Sequence, residues 1–244
     1  MSNIKSFLDE LKELNEKEYV DVYVPSIKKT LPFKPFSVKQ QRDIIKTILS
    51  GIEGVVSTTI IFNNIIKDNS SQAIDFKYYD RNKILVDIRR QSVGNTITIN
   101  NNSYELDTLP VYSFSPKEEE TFKYNGITVT VRIPTLEEDT KITEKSVTEI
   151  IKLAGDEKKN GNSINILLVY ELMKFIQTIQ IDNNVINLCE QGTYDRKNII
   201  ENLPLKLNNI ILDFISKYKE QEQELFTFSD GTKLNIDASF ITSE

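Results

Sequence analysis

Two alternating runs, Phe122 to Tyr124 and Ile127 to Ile133, are separated only by Asn125-Gly126. Asn and Gly both accept the positive φ that a two-residue turn requires, so the stretch predicts an antiparallel β-hairpin. A second alternation, Ile97 and Ile99 beside Thr96 and Thr98, reaches a turn at Asn100-Asn101-Asn102 and returns over Ser103 to Leu106. Tyr19 to Val24 reads as a strand, and after Pro25-Ser26 a further extended piece covers Ile27 to Phe36. Pro32 and Pro35 lack backbone donors, which confines that piece to an edge or to irregular pairing. Hairpins need no crossover helix, and this order excludes a regular parallel β–α alternation.

Helical spacing is interleaved with these strands. Ile4, Phe7, Leu8, Leu11 and Leu14 form a stripe over Asn3 to Lys17. Ser37-Val38-Lys39-Gln40 has the form of a capping box that opens a helix through Leu49. Gly51 and Gly54 interrupt it, and another helix is expected over Val55 to Ile66. Tyr79 to Gln91 carries Ile84, Leu85 and Ile88 on one face and closes at Gly94. Beyond Thr140, helical spacing dominates: Ser146 to Leu153, Ile164 to Ile179, and Asp195 to Lys219 broken at Pro204. Phe226 to Phe228, Asp230-Gly231 and Lys233 to Ile236 predict a last hairpin. The fold class is therefore α+β: a β-rich N-terminal half with hairpins, a helical C-terminal half and a closing β-hairpin. The change of pattern suggests units of 1–139 and 140–244, or one continuous domain.

Composition removes much chemistry. The 244 residues include no His and no Trp, and Cys189 is the only thiol. A Ser–His–Asp triad, a Cys–His pair and Cys/His zinc sites are excluded. Cys189, in the apolar stretch Val185 to Cys189, is expected to be a small buried hydrophobe. The chain carries neither the P-loop pattern nor Gly-x-Gly-x-x-Gly. Glu118-Glu119-Glu120 and Glu137-Glu138-Asp139 are expected to be solvated acidic loops rather than metal sites. No catalytic residue, cofactor or metal ligand is assigned.

Thirty basic against 36 acidic residues leave a net charge of −6, which opposes non-specific binding to nucleic acid or to a membrane. The apolar runs are shorter than the roughly 20 residues that span a bilayer, and Met1-Ser2-Asn3-Ile4-Lys5 lacks a signal-peptide core. A soluble, cytosolic protein is expected. Lys77, Arg81, Lys83, Arg89 and Arg90 form the densest basic stretch, with Asp75, Asp80 and Asp87 among them. The expected structure is a salt-bridged helix face. A nucleic-acid-associated role for 77–90 is the alternative, and a carboxylate- or metal-dependent hydrolase the remote one.

An ordered series of segments carries a resemblance. Leu31 to Gln40 (Leu-Pro-Phe-Lys-Pro-Phe-Ser-Val-Lys-Gln) leads from strand to helix. Tyr79-Asp80 and Ile84 to Gly94 follow, then Ile127 to Val131 with Arg132-Ile133-Pro134-Thr135, and finally Ile236 to Phe240. The series resembles the baseplate assembly family of T-even-type contractile-tailed phages, which includes hub proteins and a hub assembly chaperone. Some relatives carry a Cys pair where Asn100-Asn101-Asn102 stands here, so a metal-stabilised loop is not implied. The resemblance implies a non-enzymatic tail baseplate or hub assembly protein. It would bind other baseplate, hub or tail proteins in the host bacterial cytoplasm, or be retained in the virion tail baseplate. Homo-oligomerisation is left open.

The contact candidates are Phe7, Leu8 and Leu11 on the N-terminal stripe, Phe33, Pro35 and Phe36 on the Pro-interrupted segment, and Arg89 and Arg90 on the basic helix. The middle group rests on the idea that unpaired backbone there recruits a partner strand. Core filling by the same rings is the alternative.

Overall fold

The computed structural model describes residues 18–48, 52–154 and 162–242, together with Ile4, Ser6, Phe7 and Glu10. Most of the N-terminal stripe, Leu8 and Leu11 included, lies outside the described residues, as does most of the 155–162 loop. Strands β1 (Val20–Val24) and β2 (Lys29–Phe33) form a two-stranded antiparallel sheet. Helices α1 (Val38–Ile48), α2 (Ile52–Asn69) and α3 (Asp80–Ser92) follow. A second hairpin joins β3 (Thr96–Ile99) to β4 (Asn102–Glu105). The third sheet has the order β5 (Glu119–Tyr124), β6 (Ile127–Arg132), β7 (Ile176–Ile181) and β8 (Asn184–Asn187), all antiparallel. The remaining helices are α4 (Leu136–Ala154), α5 (Asn162–Phe175), α6 (Thr193–Glu201), α7 (Leu205–Glu224) and α8 (Ala238–Thr242). The class is mixed α+β.

Local chemistry accounts for the turns and caps. Asn125 and Gly126 take φ of 47° and 76°, and Asn100 and Asn101 take 51° and 65°, as two-residue hairpin turns demand. At the start of α1 the Ser37 N–H donates to Gln40 Oε1 at 2.9 Å, and the Gln40 N–H donates to Ser37 Oγ at 3.2 Å. Both groups would otherwise be orphan donors of the first turn. Ser37→Ala is expected to cost about 1 kcal/mol, read as a shift in urea midpoint. Gly94, with φ 136°, donates its N–H to Arg89 O and closes α3. Pro204 separates α6 from α7 because it cannot donate within a helix.

Several expectations change. Gly54 does not interrupt a helix but lies inside α2. Ile164 to Ile179 is not helical throughout: α5 stops at Phe175 and the chain passes directly into β7. Ile176, Thr178 and Ile179 are β-branched, and pairing with β6 outweighs their helical spacing. The turn at Asp182-Asn183, where Asp182 has φ 52°, then makes a β7–β8 hairpin in the half expected to be helical. The helical pattern also starts earlier than Thr140, since Thr135 and Glu138 form a second capping box: the Thr135 N–H donates to Glu138 Oε2 at 3.0 Å and the Glu138 N–H donates to Thr135 Oγ1 at 3.2 Å. The closing hairpin is a single Thr227–Lys233 bridge around Gly231, followed by α8.

Two apolar clusters form the core. The first gathers Val22, Val24 and Phe33 from the β1–β2 sheet, Phe62 and Ile66 from α2, and Leu85 and Ile88 from α3. Phe226, Phe228, Leu234, Phe240 and Ile241 return to it from the C-terminus. The second lies between the four-stranded sheet and α4 to α7, through Val129, Val131, Leu172, Phe175, Ile179, Leu207 and Ile211. Tyr78, Tyr79, Phe114, Ile133 and Tyr218 make a small third cluster. Helix α7 runs from the second cluster at Ile211 through Tyr218, and Leu225, the residue that follows it, packs on the first.

Candidate functional site

Ionic groups from four helices and an amide from a fifth meet around one buried carboxylate. Asp139 follows the capping box of α4 and is fully buried. Arg81 of α3 reaches its Oδ2 at 2.8 Å and Lys174 of α5 its Oδ1 at 2.7 Å. Asn63 of α2 donates through Nδ2 to the same carboxylate at 2.9 Å. Lys174 also pairs with Glu171 at 3.2 Å, and Glu171 pairs with Lys219 of α7 at 2.5 Å. The Arg81 guanidinium stands over the Tyr78 ring, 4.4 Å from its centre. The network sets the register of α2, α3, α4, α5 and α7 around one point.

Charge matching decides the ionisation there. Burial disfavours the charged form of Asp139, but Arg81 and Lys174 outweigh it and hold the carboxyl below the usual range. Glu171 is likewise held down by Lys174 and Lys219 against its burial. Lys174 stays charged because Glu171 and Asp139 overcome its desolvation. Glu222 of α7 behaves in the opposite way. Burial pushes its carboxyl up to about 7, against the pull of Arg81 and of the Asn82 Nδ2 hydrogen bond at 2.9 Å.

A carboxyl that binds its proton more tightly in the folded state adds stability below its unfolded value, near 4.5, and loses it as pH rises through about 7. Glu222→Gln keeps the acceptor for Asn82 and removes that loss. From pH 4.5 to 8, wild type is expected to lose about 2–3 kcal/mol relative to the variant in parallel urea titrations.

The acidic segment 137–139 is therefore the first turn of α4, not a solvated loop, and Asp139 belongs to the interior. The signal was present in the sequence as Thr135-x-x-Glu138 after Pro134. Glu119 and Glu120 of the other acidic run belong to β5. Cys189 is exposed rather than buried, because Leu188 takes the inward position of the turn. Its Sγ lies 3.6 Å from Arg132 Nη2. Among the described residues no group of three or more His, Cys, Asp or Glu is placed to hold a metal ion. Among the described residues no helix is long and apolar enough to cross a membrane.

The contact candidates are not brought together. Phe7 is exposed. Phe33 is fully buried against Phe76 in the first core, so its ring does not reach a partner. Pro35 and Phe36 are half-buried, and Phe36 packs on that same core. The backbone around them is not free. Lys34 N–H donates to Asn69 O at 2.7 Å, Asn69 Nδ2 donates to the carbonyls of Lys34 and Pro35, and Phe36 N–H donates to Ser92 Oγ. Strand recruitment at 33–36 is therefore blocked by internal hydrogen bonds.

Arg89 is also fully buried, donating to the carbonyls of Phe240, Gly94 and Thr96 at 2.7, 2.6 and 3.0 Å. Arg90 is exposed, 3.9 Å from Asp87. Lys83 pairs with Asp87 and Lys77 with Glu118. The basic stretch is thus largely met by the protein's own acids and carbonyls.

The arrangement defines a mixed α+β protein with a charge-matched interior, built on the segments that carry the resemblance. The chain belongs to the family of T4 bacteriophage base plate proteins, whose family model matches residues 17–226. It is a phage baseplate protein. Comparison with curated proteins and with solved structures gave no match.

Proposed function

We propose that this baseplate protein is a non-enzymatic assembly factor, either a hub component or a hub assembly chaperone, that works through contacts with other phage tail proteins. The family match over 17–226 carries the reading. In support, Asp139 is paired with Arg81 and Lys174 inside the fold rather than presented to a substrate. The chain would meet its partners in the host cytoplasm during assembly. Among the described residues, Phe7, Pro35, Phe36 and Arg90 are the contact residues proposed from the sequence that keep some surface exposure.

Co-expression of the tagged chain with the baseplate and tail proteins of its own phage, followed by affinity capture, tests the proposal. A stoichiometric complex is expected, and recovery of the chain alone against every such protein overturns it. Mass spectrometry of purified virions then separates a retained hub component from a chaperone that leaves.

A further inference from the structure

The four-stranded sheet has two open sides of different character. At β5, pairing with β6 across the Asn125-Gly126 turn leaves the backbone groups of Glu119, Thr121 and Lys123 pointing away from the sheet. All three residues are exposed, and two are charged, which is how natural edges resist further pairing. The strand β8 lacks that protection. Its residues are Asn184, Val185, Ile186 and Asn187, and every residue from Ile181 to Ile186 is exposed. Ile181, Val185 and Ile186 leave 50%, 61% and 41% of their surface in solvent.

Register shows which backbone groups are open. Ile181 and Asn184 flank the two-residue turn and form a hydrogen-bonded pair, so the next pair, Gln180 and Val185, does not. The N–H and C=O of Val185 therefore point outward. Charge limits what can use them. Asp182 lies in the turn before β8 and Glu190 ends the short helical turn after it, where it accepts from Asn187 Nδ2 at 2.7 Å; neither carboxylate forms an ion pair among the described residues. In a two-fold antiparallel pair of two β8 strands centred on Val185, the Asp182 end of each strand would lie at the Glu190 end of the other. Like charges would meet at both ends of so short a strand, which disfavours self-pairing.

We propose that β8 is a docking edge for an extended segment of another protein. The segment adds a fifth strand to the sheet, hydrogen-bonds to Val185, and carries Lys or Arg at each end to meet Asp182 and Glu190. The edge chemistry stands on the structure alone; only the origin of the segment, a phage tail protein, rests on the assembly reading.

The probe is a synthetic peptide, Lys-Thr-Val-Thr-Val-Thr-Lys, compared with the same peptide ending in Glu, each titrated against the full chain. The Lys-ended peptide is expected to bind about tenfold more tightly and to slow hydrogen exchange at the Val185 amide. The double variant Asp182→Asn with Glu190→Gln, in which Asn suits the φ of 52° at position 182 and Gln keeps an acceptor for Asn187, should abolish that preference. Val185→Pro should abolish binding of both, with circular dichroism confirming its fold.

Equal binding of the two peptides, or unchanged exchange at Val185 with both, overturns the proposal. So does a concentration-dependent dimer that Val185→Pro dissolves, which would give the edge to a second copy. Capture of a tail protein that is undiminished in the charge-neutralised variant and in Val185→Pro also overturns it and leaves the assembly reading intact. Peptide binding at Val185 without capture of any tail protein supports the edge and overturns the assembly reading.

Discussion

Asp139→Asn is expected to destabilise the chain by about 3–5 kcal/mol, read from the midpoint of urea unfolding at pH 7. The substitution keeps the side chain's shape but leaves Arg81 and Lys174, whose side chains are 11% and 12% exposed, facing a neutral group. Removing one partner of a buried pair leaves a desolvated charge, and that penalty exceeds what the pair itself contributes. It would consume a large part of the 5–15 kcal/mol typical of folded domains. The pH dependence identifies the cause. Asp139 and Glu171 are held below the ordinary carboxylate range, so their contribution is full at neutral pH and fades as pH falls through their folded-state values. The Asn variant should therefore lose less stability than wild type between neutral and acidic pH. An unchanged midpoint at pH 7 would show that the network is not a structural requirement.

Arg89→Met is expected to cost about 3 kcal/mol or more, and to loosen the C-terminus before the rest of the chain unfolds. Met fills much of the volume of the buried stem but cannot donate to the carbonyls of Phe240, Gly94 and Thr96. The guanidinium also stands 5.3 Å from the centre of the Phe240 ring, so one side chain ties α8 to the end of α3. Limited proteolysis should cut the variant within 235–242 under conditions where wild type stays intact. Hydrogen exchange should rise at Phe240 and Ile241, which pack on the first core. If the variant's C-terminus resists cleavage as wild type does, apolar packing holds it without Arg89.

Both residues were visible in the sequence, but their positions were not. The Glu137-Glu138-Asp139 run looks like solvated surface until Thr135 is read with Glu138 as a capping box, which places the run in a helix's first turn. Even then, only the approach of α3 and α5 turns Asp139 inward. Arg89 and Arg90 are adjacent and chemically alike, yet one is fully buried and the other exposed. Helical periodicity separates the two faces, but the carbonyl that accepts from Arg89 Nε lies 151 residues away. The Ile176 to Ile181 segment fails for a related reason: its apolar spacing fits a helix, and its strand state depends on β6 lying alongside.

The amino-acid sequence by itself determined the features whose causes lie within a few residues. These are the Asn125-Gly126 and Asn100-Asn101 turns, the Ser37 cap, the end of α3 at Gly94 and the break at Pro204. Two of them, the Ser37 cap and the end of α3 at Gly94, lie in segments that carried the likeness to phage baseplate proteins that the family match shows. Tertiary structure alone decided which charges are buried, which backbone is already paired and which sheet edge stays open. Burial and pairing depend on partners distant in sequence. The Pro-interrupted segment at 33–36 is closed by Asn69 and Ser92, while the edge at β8 keeps Val185 open to solvent.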